Sequence, residues 1–63
     1  MRLEELEKRL RERGWMLRKL ISYDDGDRIL AVKSGEEMRL TVDVRFGRSI
    51  DKLRWEEIEW LFP

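Results

Sequence analysis

Nine residues near the middle of the chain constrain the fold most. Met38, Leu40, Val42, Val44 and Phe46 alternate strictly with Arg39, Thr41, Asp43 and Arg45. A period of two places all five apolar side chains on one side of an extended strand and the polar ones on the other. That strand needs a sheet to pair with and a layer to cover its apolar face, so the rest of the chain must supply both.

The segments before it read as two further strands. Trp15 to Tyr23 is extended, with Trp15, Leu17, Ile21 and Tyr23 expected on one face around Lys19, and Met16 and Leu20 on the other. Asp24-Asp25-Gly26-Asp27 is a hairpin turn, and Asp25-Gly26 suits a primed two-residue loop. Arg28 to Lys33 holds the continuous apolar run Ile29, Leu30, Ala31 and Val32, which suits a central strand covered at least partly on both sides. Ser34-Gly35-Glu36 is the turn into the alternating strand.

Helices flank the strands. Leu3, Leu6 and Leu10 form one narrow stripe over Arg2 to Arg13, and Glu4–Lys8, Glu5–Arg9 and Glu7–Arg11 stand at i,i+4 in the favourable order. Gly14 supplies a left-handed stop. Gly47 breaks the alternating strand, and Ser49 or Asp51 caps a last helix over Ile50 to Phe62. Its apolar residues cover more than half the circumference, so its packing needs more than one contact. The expected fold is α+β in the order α-β-β-β-α, a three-stranded antiparallel meander with both helices on one face. Residues 1–63 make one domain.

Composition removes most chemistry. The chain has no His, Cys, Asn or Gln. It therefore lacks an imidazole base, a thiolate and a side-chain amide for an oxyanion hole or base edge. Without Cys no disulfide forms, and without Cys or His a structural zinc site is nearly excluded. At 63 residues the fold buries only ~60% of its unfolded surface, so stability must come from packing and local propensity or from self-association. Ten of the 14 basic residues are Arg and nine of the 14 acids are Glu. This profile fits a hyperthermophile protein or a designed sequence with a charged surface. The net charge of zero gives no general attraction to nucleic acid or anionic membrane. No apolar run approaches ~18 residues, and the first residues lack a signal-peptide core, so a cytoplasmic location is expected of a natural chain.

The aspartates of residues 24–27 offer hard-cation ligands, but the spacing is not that of an EF-hand, and an exposed turn explains them. Arg39, Thr41, Asp43 and Arg45, joined by Arg18 or Arg28, form a polar sheet face. It reads as solvated and ion-paired rather than phosphate-binding, since no aromatic interleaves with these arginines in the pattern. The nearest set for nucleic-acid contact is Arg18, Arg39, Arg45, Arg48 and Lys52. Trp15, Trp55 and Trp60 supply core bulk. Trp55 and Trp60 lie about 140° apart on a helix, so one of them is peripheral. Trp55, Trp60 and Phe62 are the candidates for a partner or homodimer contact. The hydroxyls (Ser22, Ser34, Ser49, Thr41, Tyr23) and the lysines show no catalytic spacing, and Glu56 and Glu57 diverge on a helix. No phosphate loop, cofactor site or small-molecule substrate site is indicated.

The element order resembles that of the double-stranded-RNA-binding domain. That family starts its second helix with a Lys-rich, phosphate-gripping motif, where this chain reads Ser49-Ile50-Asp51-Lys52-Leu53-Arg54. Asp24-Asp25-Gly26-Asp27 replaces the family's loop between the first strands. The opening Glu5-Leu6-Glu7-Lys8-Arg9-Leu10 leading into Gly14-Trp15-Met16-Leu17-Arg18-Lys19 is similar to that of the HicA-type toxins, small mRNA interferases of the same topology. Their catalytic His follows the first strand, and this chain has no His, so the resemblance implies RNA binding without cleavage. Three readings follow: a stable non-enzymatic scaffold, an RNA-binding or toxin–antitoxin-related module, and a homodimeric protein-interaction module.

Overall fold

The computed structural model describes all 63 residues, and the order is the expected α-β-β-β-α. Helix α1 spans Leu3–Glu12, and strands β1 (Met16–Tyr23), β2 (Gly26–Ser34) and β3 (Arg39–Arg45) follow. They form an antiparallel sheet in the order β1-β2-β3, which leaves β1 and β3 as open edges. No helix is long and apolar enough to cross a membrane.

Leu6 and Leu10 of α1 are buried, as its stripe requires. The helix ends in a Schellman motif: Trp15 N–H donates to Leu10 O at 2.8 Å and Gly14 N–H to Arg11 O at 3.0 Å. Gly14 takes φ +84°, the left-handed value the motif needs. Trp15 is thereby swung into the core just ahead of β1 and is 3% exposed. Two of the three expected helical ion pairs close, Glu5–Arg9 at 3.7 Å and Glu7–Arg11 at 4.0 Å.

The expected face assignment of β1 is corrected. Leu17 pairs with Ala31 but Lys19 pairs with Leu30, so Arg18 is the extra residue of a bulge. A bulge shifts every later side chain to the opposite face. Paired residues share a face, so Leu20 joins Leu17, Ile29 and Ala31 on the inner side of the sheet, where it stays 37% exposed at the rim of the core. Ile21 and Tyr23 go instead to the outer face with Arg28 and Leu30. The outer face is therefore mixed: Val32, Leu30, Met16 and Ile21 lie among the charged residues of β2 and β3.

The first hairpin is also corrected. Tyr23 pairs with Gly26, so its loop is Asp24-Asp25. No residue other than glycine has positive φ, so the loop is not a primed turn. Gly26 serves a different purpose: a Cβ there would lie 2.2 Å from Arg48 N, where the chain leaving β3 crosses it.

The last segment is not one helix. It divides into a 3-10 turn (Ile50–Lys52), a single α turn, α2 (Trp55–Ile58), and a second 3-10 turn (Glu59–Leu61). Ser49 Oγ accepts Asp51 N–H at 3.3 Å to start the first. Leu53 and Arg54 are extended. At that break the Met1 ammonium donates to Ile50 O (2.8 Å), Asp51 O (3.2 Å) and Leu53 O (2.7 Å), a donor for carbonyls that a continuous helix would have served with its own N–H groups. The broken path lets Ile50, Leu53, Trp55, Ile58 and Phe62 all reach the core. Phe62 sits at its centre, edge-on to Trp15 (centroids 5.6 Å apart) and stacked on Trp55 (6.1 Å). Pro63 O accepts from Trp15 Nε1 and from Lys33 Nζ, each at 3.1 Å.

Candidate interaction surface

The residues named for nucleic-acid contact do not assemble. Arg39 and Arg45 stand at opposite ends of β3, about 20 Å apart at the rise of a strand. Arg45 is committed to Asp25 at 2.8 Å and lies 4.0 Å over the Tyr23 ring. That stacking corrects the expectation that no aromatic accompanies these arginines, and the Arg18 bulge is its cause. Arg48 pairs with Glu57 at 3.3 Å and donates to Lys52 O at 2.8 Å. Arg18, Arg39 and Lys52 are exposed and lie on three different elements.

The outer face carries one bidentate ion pair. Arg28 grips Asp43 with two bonds of 2.7 Å, a bidentate geometry, and also donates to Tyr23 at 3.3 Å. The Arg28 hydrogen bonds hold the Asp43 carboxyl below its ordinary value of 3.8, and the Arg45 bond does the same for Asp25. Both pairs are largely exposed, so their contribution to stability is small.

The aspartate turn borders a cleft of about 660 Å³ shared with Arg48, Ser49, Asp51 and Lys52. Its carboxylates do not converge on a point: Asp25 turns to Arg45, and Asp27 is buried against Ile50 N–H. No three acidic side chains are placed to hold a metal ion. Asp27 is thus a structural residue, and its role gave no signal in the sequence beyond turn chemistry.

The candidate partner contacts separate clearly. Phe62 is 0% exposed, Trp55 6% and Trp60 74%. Phe62 and Trp55 are core residues, so Trp60 alone can meet a partner. The expectation that one of the two tryptophans is peripheral holds. Trp60 Nε1 donates to Glu57 O at 3.1 Å, so the indole N–H is satisfied within the chain and the ring offers an apolar surface. Trp60 borders a groove of about 400 Å³ with Val44, Phe46, Leu53, Ile58 and Leu61.

That groove lies at the Phe46 end of an unpaired edge strand. Val42, Val44 and Phe46 pack on the core, but Leu40 is 40% exposed and Met38 65%. The broken last segment covers only one end of β3, so the face read as half-buried is covered at the Phe46 end and open at the Met38 end. The backbone direction of β3 is fixed at both ends: Phe46 N–H donates to Asp27 O and Gly35 N–H to Met38 O. Antiparallel pairing alternates, so Leu40, Val42 and Val44 also bond toward β2. The N–H and C=O groups of Arg39, Thr41, Asp43 and Arg45 therefore point out of the sheet edge. An open edge beside an apolar groove is the arrangement a protein partner uses in β-augmentation. No protein-family model, curated protein sequence or solved structure matches the chain.

Proposed function

We propose that this chain is a compact, heat-stable scaffold without enzymatic activity that binds protein at one place, the β3 edge beside Trp60. The exposed indole carries the reading. A tryptophan 74% open to solvent, its N–H already bonded inward, gains nothing for the fold by standing there. Tryptophan in an apolar groove is the residue type that most often anchors a protein contact. The freedom from catalysis rests on the residue types missing from the sequence. The heat stability rests on agreement among the helix stop, the strand pattern and the paired charges.

Selection from a displayed random-peptide library tests the binding reading. Extended apolar peptides should be enriched on the parent chain and lose at least about tenfold in affinity on the Trp60→Ser variant. Binders indifferent to that substitution would contradict it. A melting temperature above the ~45–65 °C of ordinary domains is expected, and one below ~50 °C would contradict the scaffold reading. RNA is the competing partner, from the resemblance in element order. The separation of Arg39 from Arg45 and the pairing of Arg45 and Arg48 weigh against it. Steeply salt-dependent binding to duplex RNA at ~50 mM salt would reverse that judgement.

A further inference from the structure

We propose that the occupant of the β3 edge is a second copy of this chain, paired antiparallel about a two-fold axis through Thr41, with Arg39 of each copy opposite Asp43 of the other. The inference rests on the interaction-face reading above and specifies its partner.

The outward groups of β3 limit the registers. Arg39, Thr41, Asp43 and Arg45 carry the free N–H and C=O groups, so a two-fold pairing must place these residues opposite one another. Three centred registers do so with useful overlap. An axis at Asp43 sets the two Asp43 carboxylates face to face. An axis at Val42 sets Arg39 against Arg45, a cation already served by Asp25 and Tyr23. An axis at Thr41 sets Arg39 against Asp43 twice and Thr41 against Thr41. Like charges directly opposite are destabilising and opposite charges favourable, so only the Thr41 register is complementary throughout. Asp43 has acceptor capacity for both: Arg28 takes one bond on each oxygen, and a carboxylate offers about four lone-pair sites.

The same pairing accounts for the two most exposed large apolar side chains. Met38, 65% exposed, immediately precedes β3, and Trp60, 74% exposed, lies in the last 3-10 turn beside the groove at the other end of that strand. About the Thr41 axis, Met38 of one copy comes opposite Val44 of the other, which lines the groove beside Trp60. Each copy inserts its methionine next to the other's indole, a favourable sulfur–aromatic contact made twice. The product is a continuous six-stranded sheet with β1 as its outer strand on both sides.

Sedimentation equilibrium of the full chain from ~10 μM to ~1 mM tests this. The expected result is a transition from 7.8 kDa to twice that mass. Arg39→Asp puts carboxylates opposite each other twice and should weaken dimerisation roughly tenfold or more, with the circular dichroism of the monomer unchanged. Met38→Ser, at an exposed position that leaves the core intact, should also weaken it. A strict monomer at the highest concentration overturns the inference. So does a dimer that Arg39→Asp strengthens, which would place the axis at Val42, or one that it leaves unchanged. A strict monomer that still binds selected peptides through Trp60 removes the second copy and leaves the interaction face standing. A monomer with no Trp60-dependent binder removes both.

Discussion

The Asp27 carboxylate accepts the backbone N–H of Ile50 at 2.9 Å, joining the start of β2 to the first turn of the last segment. The backbone of the same residue donates to Arg48 O and accepts from Phe46 N–H, each at 2.9 Å. One residue thus fixes how the chain leaves β3 and turns over the sheet, and so where the groove beside Trp60 lies. Asp27→Ala would leave the Ile50 N–H buried without a partner, at a cost of about 1–3 kcal/mol. Asp27→Asn keeps an acceptor and should lose less than half as much. Urea denaturation of the two variants checks the order.

Gly26 and Gly47 are both glycines of positive φ, yet they should respond differently to alanine. A Cβ at Gly26 would sit 2.2 Å from Arg48 N and 2.6 Å from Gly47 C, both backbone atoms that cannot move aside alone. At Gly47 a Cβ would meet nothing within 4 Å, and only the left-handed backbone at φ +69° opposes it. Gly47→Ala should cost about 1–2 kcal/mol. Gly26→Ala should exceed that by about 1–3 kcal/mol of overpacking, and the melting temperatures should fall in that order.

Trp60 and Phe62 stand two residues apart and should behave as opposites in a stability measurement. Phe62 is fully buried between Trp15 and Trp55, so Phe62→Ala should cost about 3–5 kcal/mol. Trp60→Ser removes a largely solvated ring and should change the unfolding free energy of the isolated chain by no more than about 0.5 kcal/mol. A large loss on Trp60→Ser would give the indole a folding role and weaken its assignment to binding.

The Arg28–Asp43 pair has a definite pH signature. Its hydrogen bonds hold the folded Asp43 carboxyl below 3.8, its ordinary value. A lowered pKa means the folded state binds the proton less readily than the unfolded one. The stabilisation is therefore complete above that ordinary value and disappears as pH falls through the folded value. NMR titration should find the Asp43 midpoint below 3.8 in the parent and closer to 3.8 in Arg28→Met. The stability difference between the two chains should shrink with acidification, and one that grew in acid would reverse the sign argued for the pair.

The sequence carried the element order and the sheet's third strand because those depend on local periodicity and punctuation. Leu3, Leu6, Leu10 and Gly14 specify α1 and its stop, and the alternation through Phe46 specifies β3. The bulge at Arg18 was not legible, because neither glycine nor proline marks it and its cause is the pairing of β1 with β2. Once it is present, Tyr23 changes face and meets Arg45, a contact invisible in a strict two-residue period. The break at Leu53-Arg54 was hidden for a similar reason. The apolar spacing from Ile50 to Phe62 suits a helix, but the competing arrangement is held by contacts from Met1, Arg13 and Lys33, which lie far away in the chain. Of the candidate interaction surface, the peripheral tryptophan was legible from the angular separation of Trp55 and Trp60. The exposure of Met38 and Leu40 was not, since it follows from how little of β3 that broken segment covers.

Amide hydrogen exchange along β3 tests the interaction edge most directly. Val42 and Val44 bond toward β2 and should be protected in every condition. Thr41 and Asp43 point out of the sheet and should exchange freely in dilute chain. At ~1 mM chain, or with a selected peptide bound, the Thr41 and Asp43 amides should become protected. If they still exchange at the open-edge rate under both conditions, β3 has no partner and the central claim fails.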